Sequence, residues 1–134
     1  MRILIIDQDS GTHEVYKQFL DAYNECVFAS SSIEGLTLFN KELKDLSSFD
    51  IVIVDQKATD FDGIYTAQIL RMNEDLKGVT ESRISKIVMT SGGDTDIRFV
   101  KEALSKGCNG FMLKPLNKDV FRKALAPLGV KIDY

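Results

Sequence analysis

The chain contains no tryptophan, two prolines, two cysteines and a single histidine in 134 residues, and each scarcity excludes something. So little proline leaves no Pro-rich linker, and no low-complexity tract interrupts the sequence, so one domain with one substantial core is expected. Cys26 and Cys108 lack metal or redox spacing and sit beside apolar residues, which points to reduced, partly buried thiols. His13 lies among polar residues, has no partner at metal or catalytic spacing, and reads as a surface residue. No apolar run approaches the length of a membrane span, and Met1-Arg2-Ile3 leads straight into a strand instead of a signal peptide. Lys and Arg are scattered, the formal net charge is -3 and the pI is near 5.2. The basic footprint of a nucleic-acid reader is missing. A cytoplasmic protein with no direct nucleic-acid or membrane contact is expected.

What is present is an alternation of short apolar strands and amphipathic helices. Ile3 to Ile6 read as a strand ending at Asp7, and Ser10 or Thr12 is placed to cap a helix carrying Val15, Phe19 and Ala22. A strand from Cys26 to Ala29 precedes a helix with Leu36, Phe39 and Leu43 on one face and Glu34, Lys41 and Lys44 facing out. The most apolar strand, Ile51 to Val54, stops at Asp55, and a helix marked by Ile64, Ala67 and Leu70 follows Asp62-Gly63. Met72 to Ser85 has no clear period and reads as a helix end and exposed loop. A strand over Ile84 to Thr90, a helix from about Asp94 to Lys106 bearing Ile97, Val100 and Leu104, and a strand over Gly110 to Leu113 come next. Asn117 then opens a helix with Val120, Phe121, Ala124 and Leu125. Phe28, Phe39, Phe49, Phe99 and Phe121, with Met72, Met89 and Met112, read as core filling. Asp94 and Asp96 read as capping charges.

Such alternation argues for a parallel sheet covered by helices on both faces. Four strands end in polar side chains, Asp7, Asp55, Thr90 and Lys114, and in a parallel sheet these endings share one edge. Two carboxylates, a hydroxyl and an ammonium there are the parts of a phosphoryl or divalent-metal site.

The set Asp7, Asp55, Thr90-Ser91 and Lys114-Pro115, with Asp62-Gly63 after Asp55, resembles the receiver domain of two-component response regulators. Asp50-Ile-Val-Ile-Val-Asp55 resembles the strand that carries that family's phosphoacceptor. Ala103 to Pro115 resembles its fourth helix and fifth strand. The resemblance covers residues 1–128 as a receiver domain, leaving 129–134 as a tail or the start of a linker. It implies a doubly wound, flavodoxin-like α/β fold with five parallel strands in the order 2-1-3-4-5.

The roles follow from the same resemblance. Asp55 is the implied phosphoacceptor for a histidine kinase or phosphotransfer protein, and Lys114 and Thr90 are the implied phosphoryl-binding groups. Phe111 stands at the aromatic switch position, and Pro115 follows the lysine. Mg2+ is the implied cofactor, held by Asp7, Asp55 and the backbone carbonyl of Lys57. Gln8 occupies the place of a second acid and predicts weakened metal binding. Lys57 and Asp9 are placed to modulate the site, as a pair over its mouth or as separate solvated charges. An output domain or effector, or a second copy, is implied at a face that includes Phe99, Lys101, Lys118 and Arg122. The chain would join in its own phosphorylation and process no free substrate, so it is not expected to be an enzyme. Two alternatives stay open: a degenerate receiver that binds partners without phosphorylation, and a haloacid-dehalogenase-type phosphatase using Asp7 and Asp9.

Overall fold

In the computed structural model, which describes residues 1–45, 47–57, 60–92 and 96–133, five strands form one parallel sheet in the order β2-β1-β3-β4-β5. The strands are β1 (Arg2–Ile6), β2 (Glu25–Ala29), β3 (Ile51–Asp55), β4 (Lys86–Ser91) and β5 (Gly110–Leu113). The helices are α1 (Ser10–Leu20), α2 (Ser32–Lys44), α3 (Gly63–Leu76), α4 (Ile97–Ser105) and α5 (Lys118–Leu125). The covered parallel sheet expected from the alternation, and the doubly wound order implied by the resemblance, are therefore the ones adopted.

Both faces of the sheet are covered, so successive strand residues feed two different cores. Leu4, Ile6, Val52 and Val54 pack under Phe39 and Leu43 of α2, Ala67 and Leu70 of α3 and Ala103 of α4. Ile3, Ile5, Ile51, Ile53, Val88 and Met112 pack under Tyr16 and Leu20 of α1 and Phe121 and Leu125 of α5. The second core continues into the residues after α5. Val130 and Ile132 are buried there, Asn24 donates to the Lys131 carbonyl at 2.8 Å, and Asp133 N donates to the Phe19 carbonyl at 2.8 Å.

Several local readings change. Asp9, not Ser10 or Thr12, caps α1, because its carboxylate reaches back to accept from Gly11 N at 2.9 Å. The buried face of α1 is Tyr16 and Leu20, whereas Ala22 is exposed beyond the helix end. β4 begins at Lys86, and α4 begins at Ile97 with Asp96 as its cap. Asp94 lies outside the described residues. Met72 is 54% exposed, so it fills no core, and Ile97 and Leu104 also face solvent because α4 buries only Ala103. Phe28 and Phe99 are half-buried; Phe39, Phe49 and Phe121 are buried.

The segment with no readable period is the expected helix end and exposed loop, but it carries a buried acid that the sequence does not mark. Glu74, in the last turns of α3, is 2% exposed. Its carboxylate accepts from Arg71 Nη1 at 2.6 Å and from Ser85 N at 2.8 Å. Arg71 also donates to the carbonyls of Ser85 and Gly107 and to Asn109 Oδ1, which in turn accepts from Ile87 N. One guanidinium thus ties α3 to the start of β4 and to the loop before β5. Every donor lands on a partner, which is the condition for a buried charge to be tolerated.

Removing one partner strands the other. Glu74→Ala leaves Arg71 partly buried without its counter-ion and is expected to cost about 3 kcal/mol in urea or thermal unfolding.

Candidate functional site: an acid pair bridged by a lysine

Strand alternation decides which side chains meet at the carboxyl edge. Asp55 follows Ile51 and Ile53 in β3, and Asp7 follows Ile3 and Ile5 along β1, so both carboxylates belong to the face covered by α1 and α5. Asp55 is in register with Thr90, and Thr90 with Met112 two residues before Lys114. Four residues distant in sequence are brought to one point by the pairing of β1, β3, β4 and β5.

The acids are almost out of water, with Asp7 at 1% and Asp55 at 7% exposure. Lys114 Nζ lies 3.0 Å from Asp7 Oδ2 and 3.2 Å from Asp55 Oδ1, bridging them. Thr90 Oγ1 donates to the same Asp55 Oδ1 at 3.1 Å. Burial acts to lower the pKa of the lysine, but the hydrogen bond and charge of Asp7, joined by Asp55, hold the ammonium above its ordinary value. Asp7 is fixed further by Asp9 N, which donates to its Oδ1 at 2.9 Å. A cavity of about 280 Å³ opens above, lined by Asp7, Asp55, Gln56, Lys57, Ser91 and Lys114 among others.

Local structure builds the rim. Gly63 lets the loop after β3 fold back so that its N donates to the Gln56 carbonyl at 3.0 Å; a Cβ there would sit 2.8 Å from the Asp55 carbonyl oxygen. Gln56 Oε1 accepts from the Ser91 hydroxyl, tying that loop to the end of β4. The Lys114–Pro115 peptide is cis, and Pro115 is exposed.

Gln8 and Lys57 also meet, though not as a pair of charges. Gln8 Nε2 donates to the Lys57 carbonyl at 3.3 Å. The Lys57 side chain is exposed, and among the described residues no ion pair joins it to Asp9. The lid reading therefore fails for a simple reason. Asp9 spends its carboxylate on Gly11 N and Thr12 Oγ1 at the start of α1. Phe111 is apart from the acid pair: it is half-buried against the other core and lies edge-on to Phe99 with ring centroids 5.9 Å apart.

Two residues of the site escape the sequence reading. His13 is half-buried, not a surface residue; its Nε2 lies 2.6 Å from the Asp7 carbonyl oxygen and its ring 4.9 Å from that of Phe28. Tyr16 is fully buried, stacked on Phe121 at 5.4 Å. Burial raises the pKa of its phenol well above the usual value, and the charges of Asp7 and Asp55 add to the rise. Its hydroxyl has no hydrogen-bond partner among the described residues. A helical period marks both positions, His13 and Tyr16 being three apart, but no local pattern says which face of α1 meets an acid.

The oxygen donors suit a small, hard cation: two carboxylates and the Lys57 carbonyl are the ligand types Mg2+ takes, usually with retained waters. Among the described residues no group of three or more acids, histidines or cysteines could hold a metal.

Comparison with known proteins agrees with this geometry. Residues 3–126 match the family model of the response regulator receiver domain. No curated protein sequence matches the chain. Among solved structures, a CheY-like receiver domain protein from Methanospirillum hungatei is 25% identical with a TM-score of 0.73, covering 96% of this chain and 93% of that one. A receiver domain protein from Clostridium thermocellum is also 25% identical, with a TM-score of 0.72 and coverages of 95% and 92%. The chemotaxis response regulator CheY4 of Vibrio cholerae shares the fold at 22% identity, with a TM-score of 0.74 and coverages of 95% and 97%. The chain belongs to the response regulator receiver domain family.

The orphan hydroxyl gives a direct test of the packing below the site. An unsatisfied buried hydroxyl costs about 1–3 kcal/mol, and phenylalanine fills the same space. Tyr16→Phe is expected to raise the stability to unfolding by about 1 kcal/mol, read as a higher denaturant midpoint at an unchanged slope.

Proposed function

We propose that the domain is a phosphoacceptor in a two-component phosphorelay, taking a phosphoryl group from a histidine kinase or phosphotransfer protein onto Asp55. The observation that carries this reading is the convergence of Lys114 Nζ and Thr90 Oγ1 on one oxygen, Oδ1, of a carboxylate at the end of the central strand. Oδ2 of Asp55 is left to attack. An oxygen–phosphorus bond forms, the nitrogen–phosphorus bond of the donor phosphohistidine breaks, and the imidazole departs with the electron pair. Lys114 faces the incoming negative oxygens, and Thr90 changes acceptor from Asp55 to the phosphoryl group.

Mg2+ fits this reading as cofactor, held by Asp7, Asp55 and the Lys57 carbonyl; when bound it supplies charge neutralisation for phosphoryl transfer. The residues of the chain do the rest: Lys114 keeps the acid pair together, and Gln8 competes for the Lys57 carbonyl through its amide. No free substrate is turned over, so the domain is a switch and not an enzyme. Capping by Asp9 also argues against the phosphatase alternative, which needs that carboxylate as an acid.

The output reading rests on α4 and β5. Ile97 is 67% exposed, with Leu104 and Leu113 about half exposed, an apolar face fitted to an output domain or effector. Lys101 and Arg122 are exposed beside it. Phe99 is half-buried with its ring edge-on to Phe111, so the aromatic pair lies beneath this face rather than forming its surface.

With acetyl phosphate and Mg2+, wild type is expected to form a stoichiometric, acid-labile adduct that borohydride reduction maps to Asp55, and Asp55→Asn is expected to form none. An unlabelled wild type alongside a receiver that labels well would favour the degenerate alternative.

Gln8→Asp is expected to tighten Mg2+ by about tenfold or more in a titration at constant salt, because it adds a carboxylate and frees the Lys57 carbonyl. Crowding a third acid beside Asp7 and Asp55 is expected to lower the stability of the metal-free variant.

A further inference from the structure

α3 is apolar on two opposite sides, and only one of them is used by the fold. Ala67, Leu70 and Glu74 face the sheet and are buried. Tyr65, Ile69, Met72 and Leu76 follow one another at spacings of four, three and four residues. At 100° per residue they fall within roughly 60° of arc, on the side away from the sheet. Tyr65 is 53%, Met72 54% and Leu76 76% exposed, and Ile69 is half-buried. A helix with a stripe of this spacing on its solvent side carries the seam of a helix pair.

The two ends of the stripe differ in shape and in charge. At the N-terminal end Tyr65 projects, its ring steadied edge-on by Phe61 at 5.5 Å. At the C-terminal end a groove of about 590 Å³ lies between α2 and α3, lined by Thr37, Asn40, Lys41, Lys44, Leu76 and Lys77. Its floor is bridged by a hydrogen bond of 2.9 Å from Asn73 to Asn40. Glu34, Asp60 and Asp62 are exposed around the first end, and Lys41, Lys44 and Lys77 around the second. None of these six takes part in an ion pair among the described residues. The 14 residues of α3 separate the two ends by about 21 Å, beyond the screening length of about 10 Å at 0.1 M salt, so within one molecule the opposite charges do not satisfy each other.

The geometry points to a second copy of this chain as the occupant, paired antiparallel through α3. The pairing sets Ile69 against Met72 of the other copy and Tyr65 against Leu76, so the projecting aromatic of each copy enters the groove of its mate. The acidic end of each copy meets the lysine end of the other, and the contact is self-complementary, as a two-fold interface requires. α4 and β5 stay free for an effector. Nothing in this pairing depends on phosphorylation.

Sedimentation equilibrium of the full chain, from about 10 μM to 1 mM at about 0.1 M salt, tests it. Wild type is expected to dimerise with rising concentration, Met72→Glu to weaken the dimer at least tenfold, and Asp55→Asn to leave it unchanged. Lys41→Glu with Lys44→Glu, and separately Glu34→Lys, are each expected to weaken self-association, whereas mixing these two variants gives a heterodimer tighter than the self-association of the lysine variant, since one of its two end contacts is wild type on both sides. These charge variants sit at exposed positions and keep the test open if Met72→Glu fails to fold by circular dichroism. A wild type that stays monomeric throughout overturns the proposal, even if its α3 face binds an unrelated helical peptide. So does a dimer untouched by the charge variants and by folded Met72→Glu but lost in Ile97→Glu, which places the contact on α4.

Discussion

Two carboxylates cannot be buried side by side unless something positive stands between them, and here that something is Lys114. Its ammonium, 3.0 Å from Asp7 and 3.2 Å from Asp55, joins the end of β5 to the ends of β1 and β3 across the switch point of the sheet. The ion pair is therefore also a tertiary clamp. It sets a tension that defines the site: any cation entering the cavity competes with Lys114 for the same carboxylate oxygens. Thr90 shares the acceptor oxygen, so a change of charge at Asp55 is felt at once by β4 and β5.

The opposite edge of the sheet is held by the same physical device with the signs rearranged. Arg71 and Glu74 form a buried pair whose remaining donors and acceptors close on the chain at Ser85, Gly107 and Asn109. Every Arg71 donor is taken up in these contacts, so they fix β4 and the loop before β5 while the Asp7–Asp55 end keeps a cavity of about 280 Å³. α3 spans the distance between the two ends, bearing Gly63 packed against β3 at one and Glu74 at the other.

Helices carrying apolar residues on a second face are where this member of the family departs from a purely core-driven pattern. α4 buries only Ala103 and exposes Ile97 and Leu104; α3 buries a full face and still exposes Tyr65, Met72 and Leu76. Burying such surface is favourable at about 25 cal/mol per Å². Two separate apolar faces on one small domain allow two contacts to be made at once, one on each.

The alternation of apolar runs and helical periods determined the layered α/β architecture, because a strand buried on both faces must be continuously apolar and a covering helix must repeat near 3.6 residues. The same local chemistry marked Asp7, Asp55, Thr90 and Lys114, since polar residues that abruptly end such strands have one edge available to them. Strand order came through family resemblance and not from the period, which is blind to neighbours. Tertiary structure alone decided the rest. Arg71, and Glu74 in the segment without period, look like ordinary exposed charges until Ser85 and Asn109 close around them. His13 and Tyr16 acquire their places only when α1 docks beneath Asp7, and Lys57 loses its supposed partner because Asp9 is nearer to the backbone of α1. Sequence spacing encodes which face of an element a side chain occupies; it does not encode what the other elements bring to that face, and burial, pairing and orphaned hydroxyls are settled by that meeting.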